Sequence, residues 1–219
     1  MSFTNDQQSA IDAIEKYRMV FITGPPGSGK SYLVQNMEVD GTVLITALAN
    51  AALANYPAES VANMAQIRTR LASKRRPSPK GRLGQFLTHV ALGRKTTLVI
   101  DEASLLTSKD LQELHDALCK LRHSTKLPFG GVGRIILVGD PDQLPPIGGN
   151  PIQTWSMFSR FHEVHLTSNK RFSDMAWASF LADVAALTRR CRNGEISCPE
   201  KEPAALQLAK FIRAGHRPK

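Results

Sequence analysis

The stretch that decides the fold is FITGPPGSGKSYLV, residues 21–34, in which an apolar run leads into a glycine-rich turn and then into a helical pattern. Its spacing fits G-x-x-x-x-G-K-[ST], the pattern of a phosphate-binding loop, at Gly24, Gly29, Lys30 and Ser31. Glycine lets the backbone turn so that its N–H groups point at phosphate oxygens. Because the pattern lies between a strand-like run and a helix, it predicts a nucleotide site rather than a chance match.

The chemistry of this loop assigns roles to its side chains. Lys30 would reach the β- and γ-phosphates as a point charge, and the Ser31 hydroxyl would hold Mg²⁺. The predicted cofactors are therefore ATP and Mg²⁺. The nucleotide-binding residues are expected to be the whole loop, which comprises Gly24, Pro25, Pro26, Gly27, Ser28, Gly29, Lys30 and Ser31.

Composition limits the partners and the compartment. The chain has 219 residues, is 42% hydrophobic and carries a formal net charge of +9, so it can bury a core and favours an anionic partner such as nucleic acid. Its three cysteines form no C-x-x-C pair, which is typical of a reducing compartment. No apolar stretch approaches a membrane span, and the N-terminus has no secretory character. These features predict an intracellular protein, nuclear or cytoplasmic depending on the host, without a membrane partner.

A metal-like spacing occurs at His115, Cys119 and His123, which recur every four residues. A structural zinc site needs a fourth ligand, and the sequence offers none nearby. We interpret the three residues as the flank of an apolar helix stripe, which consists of Leu111, Leu114, Leu118 and Leu121.

Short apolar runs alternate with helical patterns along the chain. This alternation predicts an α/β fold with a mostly parallel sheet and helices on both faces. The candidate strands are Met19–Thr23, Thr42–Ala47 and residues 97–101, 135–139 and 163–167. The candidate helices are residues 85–92, residues 105–121 and a last helix from Asp174.

Two further motifs follow candidate strands. In TTLVIDEAS, Asp101 would belong to the Mg²⁺ shell and Glu102 would orient and deprotonate the attacking water, although an ordinary strand-end turn also contains such pairs. In GRIILVGDPDQLPPIG, the amide of Gln143 would sense the γ-phosphate, because it offers a donor and an acceptor.

One segment breaks the alternation. The stretch RTRLASKRRPSPKGR, residues 68–82, contains seven cations, two prolines and no acid, which predicts an exposed, partly flexible insertion. Two interpretations stay open, a solvated charge run and a clamp on the phosphates of single-stranded DNA. The clamp residues would be Arg68, Arg70, Lys74, Arg75 and Arg76.

The runs GPPGSGKS, VIDEAS and LPFGGVGRIILVGDPDQLPPIG together resemble the first motor domain of superfamily 1 DNA helicases, in the branch that contains Pif and RecD helicases. The resemblance implies a RecA-like ATPase domain over residues 1–172, followed by a C-terminal helix and basic tail over residues 173–219. It implies that Gln7 reads the adenine edge, although Thr4 and Gln7 also fit a helix capping box. It also implies that Arg171, in VHLTSNKRFSD, approaches the γ-phosphate as part of the catalytic set.

The chain departs from that family pattern in two DNA-contact motifs. ALANAA, residues 47–52, lacks the family's threonine, and Ala62 stands where a histidine would fall. Both departures remove hydrogen-bond donors to the DNA backbone. The residues that follow Arg171 are also too few for a second RecA-like domain, which needs on the order of 100 residues. A second motor domain or a partner protein would have to supply the other half of a two-domain helicase motor.

The sequence therefore predicts an ATP-dependent, Pif-like helicase ATPase that couples hydrolysis to single-stranded DNA binding in replication, repair or recombination. RNA is a second candidate strand. The alternative is a nucleotide-binding regulatory subunit without efficient turnover. A small-molecule kinase is disfavoured, since GDPDQLPP is not a nucleoside-binding lid.

Overall fold

The computed structural model describes residues 3–73, 77–124, 126–143 and 146–167, together with the isolated positions 183, 184, 186, 187, 190 and 195. Over this part of the chain, each strand is separated from the next by at least one helix or 3-10 turn. Over residues 3–167 the α-helices are α1 Asn5–Lys16, α2 Lys30–Asn36, α3 Asn50–Leu53, α4 Met64–Ala72, α5 Gly81–Leu92 and α6 Ser108–Arg122. The strands are β1 Met19–Thr23, β2 Thr42–Ala47, β3 Thr96–Asp101, β4 Arg134–Gly139 and β5 His162–His165.

The strands form one sheet in the order β2-β3-β4-β1-β5, and every described pair is parallel. All residues of β1 and β3 are buried, because these apolar strands are covered on both faces. The register pairs Thr23 with Gly139 and Ala47 with Asp101, so the carboxyl ends of the strands lie along one edge of the sheet. The predicted parallel α/β fold is confirmed.

Two apolar cores, one on each side of the sheet, hold the helices in place. On one side, Met64 of α4, Phe86 of α5 and Leu114 of α6 belong to one buried cluster. On the other side, Ile14 of α1 and Leu33 of α2 belong to a second. Alternate residues of β1 and β4 contribute to opposite clusters, as the period of a strand requires. The expectation of helices on both faces is therefore correct.

The predicted strand bounds need small corrections. β3, β4 and β5 each begin one residue earlier than expected, and β5 ends at His165 rather than at residue 167. The chain leaves the sheet there because the backbone N–H of Thr167 donates to the Asp6 carboxylate at 2.8 Å, which ties this segment to the start of α1.

The predicted helix bounds shift for local reasons. α6 does not begin at residue 105, because Ala103–Leu105 forms a separate 3-10 turn. The helix begins at Ser108, where the Thr107 hydroxyl caps it by accepting from Asp110 N at 3.1 Å. α5 begins at Gly81, four residues before the predicted start. The helix expected from Asp174 lies outside the described residues.

The segment 68–82, expected to be an exposed, partly flexible insertion, begins inside a helix, where most of its residues are exposed. Arg68 and Arg70 lie in α4, and Arg68 forms a partly buried ion pair with Asp110 of α6. Gly81 and Arg82 already belong to α5. Residues 74–76 are outside the described part of the chain.

His115 and Cys119 lie on α6, and His123 ends that helix with a positive φ of 53°. The His115 ring packs edge-on against Phe129 and Trp155, with centroid distances of 5.4 and 5.9 Å. Across the residues that the structure describes, no three His, Cys, Asp or Glu side chains form a group that could hold a metal ion. No helix of this part of the chain is long and apolar enough to cross a membrane.

Candidate functional site

The phosphate loop joins β1 to α2, and two of its glycines are required by close contacts. A Cβ on Gly24 would lie 2.5 Å from the carbonyl oxygen of Leu166. Gly29 has φ +86°, and a Cβ there would lie 2.5 Å from the Gln7 amide nitrogen. Both positions therefore exclude other residues, and the loop keeps its shape because neighbouring segments pack directly against it.

Polar groups of the loop point inward. The Lys30 ammonium donates to the carbonyl oxygens of Gly24 at 2.5 Å and Pro25 at 3.0 Å. The Ser28 hydroxyl is buried and, among the described residues, has no hydrogen-bond partner. A buried hydroxyl without a partner is costly, and a phosphate oxygen in the loop would satisfy it.

The predicted acidic pair lies at the end of β3. Asp101 is buried; its Oδ1 accepts from the backbone N–H of Glu102 at 2.8 Å, and its Oδ2 accepts from the Tyr56 hydroxyl at 2.5 Å. Glu102 has φ +50° and ψ 39°, a left-handed conformation that is uncommon outside glycine and that concentrates at functional sites.

The carboxyl of Glu102 is affected by charged residues of three motifs, which are the phosphate loop and the segments at the ends of β3 and β4. Burial raises the pKa of this carboxyl, and the charges of Asp101 and Asp140 raise it further, while Lys30 opposes them. The strands β1, β3 and β4 are parallel neighbours in the sheet, so the residues that follow them meet at the same edge. A carboxylate with a raised pKa suits a general base.

Gln143 lies at the same edge, just after β4. Its side-chain amide donates to Oδ2 of the buried Asp140 at 3.4 Å, and its backbone N–H donates to the Asp140 carbonyl at 3.1 Å. Gln143 is therefore held beside the carboxyl end of β4. Arg171 lies outside the described residues.

Gln7 is fully buried beside the phosphate loop. Its amide oxygen accepts from Thr4 N at 3.1 Å, which confirms the predicted capping box. Its amide nitrogen lies 3.5 Å from the Gly29 carbonyl oxygen. The adenine-reading role stays a prediction.

Sequence reasoning missed Tyr56, which reaches the site from the connection after β2. Burial raises the pKa of its hydroxyl, the charge and hydrogen bond of Asp101 raise it further, and a hydrogen bond with Ser31 opposes the shift. The hydroxyl therefore lies between the two side chains that were predicted to hold Mg²⁺. No motif signals this tyrosine, since it reaches Asp101 across 45 residues of sequence.

The two segments that depart from the DNA-contact motifs lie next to each other. Asn63 caps α4 and donates to Asn50 Oδ1 at 2.7 Å and to the Leu48 carbonyl at 3.4 Å. Ala62 is buried in the core. Asn63 is the second residue that the sequence did not single out, and it holds these segments together.

Several known proteins are similar to this chain in sequence. A family model described as an AAA domain matches residues 2–201. The chain is 31% identical over 202 residues to the ATP-dependent DNA helicase Pif1 of Bdellovibrio bacteriovorus, covering 85% of this chain and 44% of that protein. It is 31% identical over 160 residues to the ATP-dependent DNA helicase PIF5 of Trypanosoma brucei brucei, covering 67% of this chain and 16% of that protein. The chain thus spans less than half the length of these relatives.

Solved structures resemble the fold. Bacteroides Pif1 bound to ssDNA superposes with a TM-score of 0.68 at 24% identity, over 84% of this chain and 46% of that chain. Pif1 helicase from Candida albicans superposes with a TM-score of 0.64 at 21% identity, over 84% of this chain and 44% of that chain. These likenesses show a RecA-like fold. The family model matches residues 2–201, which is most of the chain. The chain therefore belongs to the AAA domain family, and it is similar in sequence to Pif-type helicases.

Proposed function

We propose that the chain is an ATPase motor domain of a Pif-type DNA helicase, which hydrolyses ATP and couples the reaction to single-stranded DNA. One observation carries the proposal. Lys30, the pair Asp101 and Glu102, and Asp140 with Gln143 follow three neighbouring parallel strands and gather at one edge of the sheet. A phosphate loop, a carboxylate pair and an amide at one edge are the parts that phosphoryl transfer to water needs.

The residues fit a Mg²⁺ ion bound with the nucleotide. The Tyr56 hydroxyl donates to Asp101 Oδ2, and the Ser31 side chain lies near the same hydroxyl, so oxygen atoms of Ser31 and Asp101 are available on one side of the site. A hydroxyl and a carboxylate are oxygen ligands that Mg²⁺ prefers. The bound ion would neutralise charge on the β- and γ-phosphates.

The protein's own groups divide the remaining work. The Lys30 ammonium would exchange the carbonyl oxygens of its own loop for phosphate oxygens. Glu102 would orient the attacking water and accept its proton. Gln143 and Arg171 would contact the γ-phosphate. Support for these roles comes from the spacing of the motifs and from the hydrogen bonds of Lys30 and Gln143.

Single-stranded DNA is the proposed partner, because the relatives are named DNA helicases and the chain has a net charge of +9. We propose Arg70 and the neighbouring Lys74, Arg75 and Arg76 as phosphate contacts. Arg68 is less suited to this role, since it already pairs with Asp110. The relatives carry the helicase name as whole proteins, and this chain spans less than half of their length, so we propose the ATPase and the DNA contact for it and not duplex unwinding.

ATP hydrolysis by the purified chain, measured with and without single-stranded DNA, tests the proposal. We expect DNA-stimulated turnover in the parent, and a loss of about 100-fold or more in Glu102→Gln with ATP binding retained, because only the general base is removed. Glu113→Gln, on the surface of α6, is the matched control. Loss of ATP binding in Glu102→Gln would make Glu102 structural. Binding without hydrolysis by the parent would favour a regulatory nucleotide-binding subunit.

A further inference from the structure

Tyr56 belongs to none of the sequence motifs, yet its hydroxyl contacts the centre of the site. The side chain is only 6% exposed, although it ends in a polar group. The hydroxyl donates to Asp101 Oδ2 at 2.5 Å, and the nearby Ser31 side chain lowers its pKa. It therefore links the helix that follows the phosphate loop to the end of β3.

The position of Tyr56 is fixed by its surroundings. Its backbone N–H donates to the Leu53 carbonyl at 3.1 Å, which closes the turn after α3. Its ring belongs to the apolar cluster that contains Leu33 and Val34 of α2 and Ala47 of β2. Packed in this cluster, the ring cannot turn the hydroxyl away without opening the core.

Core packing accounts for an aromatic ring at position 56, but it does not account for the hydroxyl on that ring. A phenylalanine would fill the same space and would avoid burying a hydroxyl, which costs free energy unless the group is hydrogen-bonded. Here the hydroxyl donates to a carboxyl oxygen at 2.5 Å, so its burial is compensated by a hydrogen bond.

The second oxygen of Asp101 is also held. Oδ1 accepts from the backbone N–H of Glu102 at 2.8 Å, so each carboxylate oxygen has one protein donor. Each oxygen keeps a further lone pair for Mg²⁺ or for a water bound to it. The carboxylate is thus oriented from two sides before any nucleotide arrives.

We propose that Tyr56 is a positioning residue for the Mg²⁺-nucleotide complex. It holds Asp101 and Ser31 at the spacing that the ion needs, so that the ion and nucleotide bind without rearranging the site. This inference rests on the function proposed above. Groups that orient metal ligands in this way typically change metal affinity by about 10- to 100-fold when removed.

The test compares ADP affinity in excess Mg²⁺ with ADP affinity in EDTA, by calorimetry, for the parent and Tyr56→Phe. For Tyr56→Phe we expect the ADP affinity in EDTA to stay within about twofold of that of the parent. The Mg²⁺ gain, which is the ratio of the ADP affinity in Mg²⁺ to that in EDTA, should fall by about tenfold. Tyr17→Phe removes the same atom from a ring that stacks on His162 and should keep the full gain. An unchanged Mg²⁺ gain in Tyr56→Phe overturns the inference.

The design separates this inference from the proposed function. A parent that binds no ADP in either condition overturns both, whereas a parent that gains affinity from Mg²⁺ equally with and without the Tyr56 hydroxyl overturns only the role of Tyr56. A purely structural role would lower the melting temperature and weaken both affinities by the same factor, which also counts against the inference.

A second measurement needs no substitution at Tyr56. The chain has three tyrosines, so fluorotyrosine labelling gives three ¹⁹F resonances, and Tyr17→Phe and Tyr32→Phe identify the third as Tyr56. We expect the Tyr56 resonance to shift when Mg²⁺ is added to the ADP complex, and the Tyr17 resonance to stay in place. If the Tyr56 resonance does not shift when Mg²⁺ is added, the inference is contradicted, even if Tyr56→Phe does not fold.

Discussion

The side-chain amide nitrogen of Gln7 lies 3.5 Å from the carbonyl oxygen of Gly29, although the two residues are 22 positions apart. The amide oxygen of the same side chain accepts from Thr4 N at 3.1 Å. Gln7 therefore connects the start of α1 to the phosphate loop, and a Cβ on Gly29 would collide with it at 2.5 Å. The first helix thus supports the loop that is proposed to bind ATP.

Gln7→Ala should loosen this support. We expect a loss of about 1–3 kcal/mol in the free energy of unfolding, because buried polar partners are left unsatisfied. A role limited to supporting the loop, in which the protein engages both ends of the buried amide, predicts that ATP and GTP binding weaken equally. The matched control is Gln8→Ala, at the exposed next position. A selective loss of ATP binding would instead support adenine reading.

Lys30→Ala should abolish tight nucleotide binding and leave the fold intact. The ammonium is proposed to pair with the phosphates, and removal of one partner of such a pair costs roughly 2–5 kcal/mol, or at least about 30-fold in affinity. In the free protein the substitution removes only two hydrogen bonds to loop carbonyls. Calorimetric titration with ADP and thermal melting measure the two effects. Unchanged ADP affinity would refute the nucleotide site.

The parts of the site that the sequence predicted are local patterns. The phosphate loop and the pair Asp101–Glu102 are recognisable because their chemistry needs fixed spacings next to buried strands. Tyr56 could not be found this way, because it meets Asp101 from 45 residues away. The same limit explains Arg68, which looked like part of a solvated run until the packing of α4 on α6 supplied Asp110, 42 residues away.

The Arg68–Asp110 pair makes a prediction about stability. Burial raises the pKa of Asp110, but hydrogen bonds from Thr107 and Arg68 outweigh it and hold the pKa below its usual value. Arg68→Ala should therefore lower the free energy of unfolding near neutral pH by up to about 1 kcal/mol, since the pair is partly exposed. Lys95→Ala, which breaks the well-exposed pair with Asp40, is the control and should change stability less. Equal effects in denaturant unfolding would mean that Arg68 is merely solvated.

Single-stranded DNA binding should depend on the neighbouring cations. Neutralising Arg70, Lys74, Arg75 and Arg76 should weaken binding and lower the slope of log affinity against log salt by about 0.7 for each phosphate that the protein no longer neutralises. A charge-matched control neutralises four exposed cations elsewhere, which are Lys16, Lys95, Lys109 and Arg160. The slope of the control should stay near that of the parent. Identical slopes in both variants would show that residues 70–76 do not touch the DNA phosphates.

The last prediction concerns Glu102, whose carboxyl is half-buried at the end of β3. Burial and the charges of Asp101 and Asp140 raise its pKa above the ordinary value of 4.5. A carboxyl with a raised pKa binds its proton more tightly in the folded state, so its ionisation costs stability. The cost is absent below the ordinary pKa, grows as the pH rises through the ordinary and then the raised value, and is constant above it.

Glu102→Gln removes this cost and should therefore stabilise the nucleotide-free protein at neutral pH while it stops catalysis. The gain in melting temperature should shrink as the pH falls and vanish below about pH 4.5. In the parent, the hydrolysis rate should rise with pH through the raised pKa, because the base must be ionised. Glu15→Gln, on the exposed face of α1, serves as the control. A stability difference that is the same at every pH would show that Glu102 does not titrate as its burial requires, and would remove it as the general base.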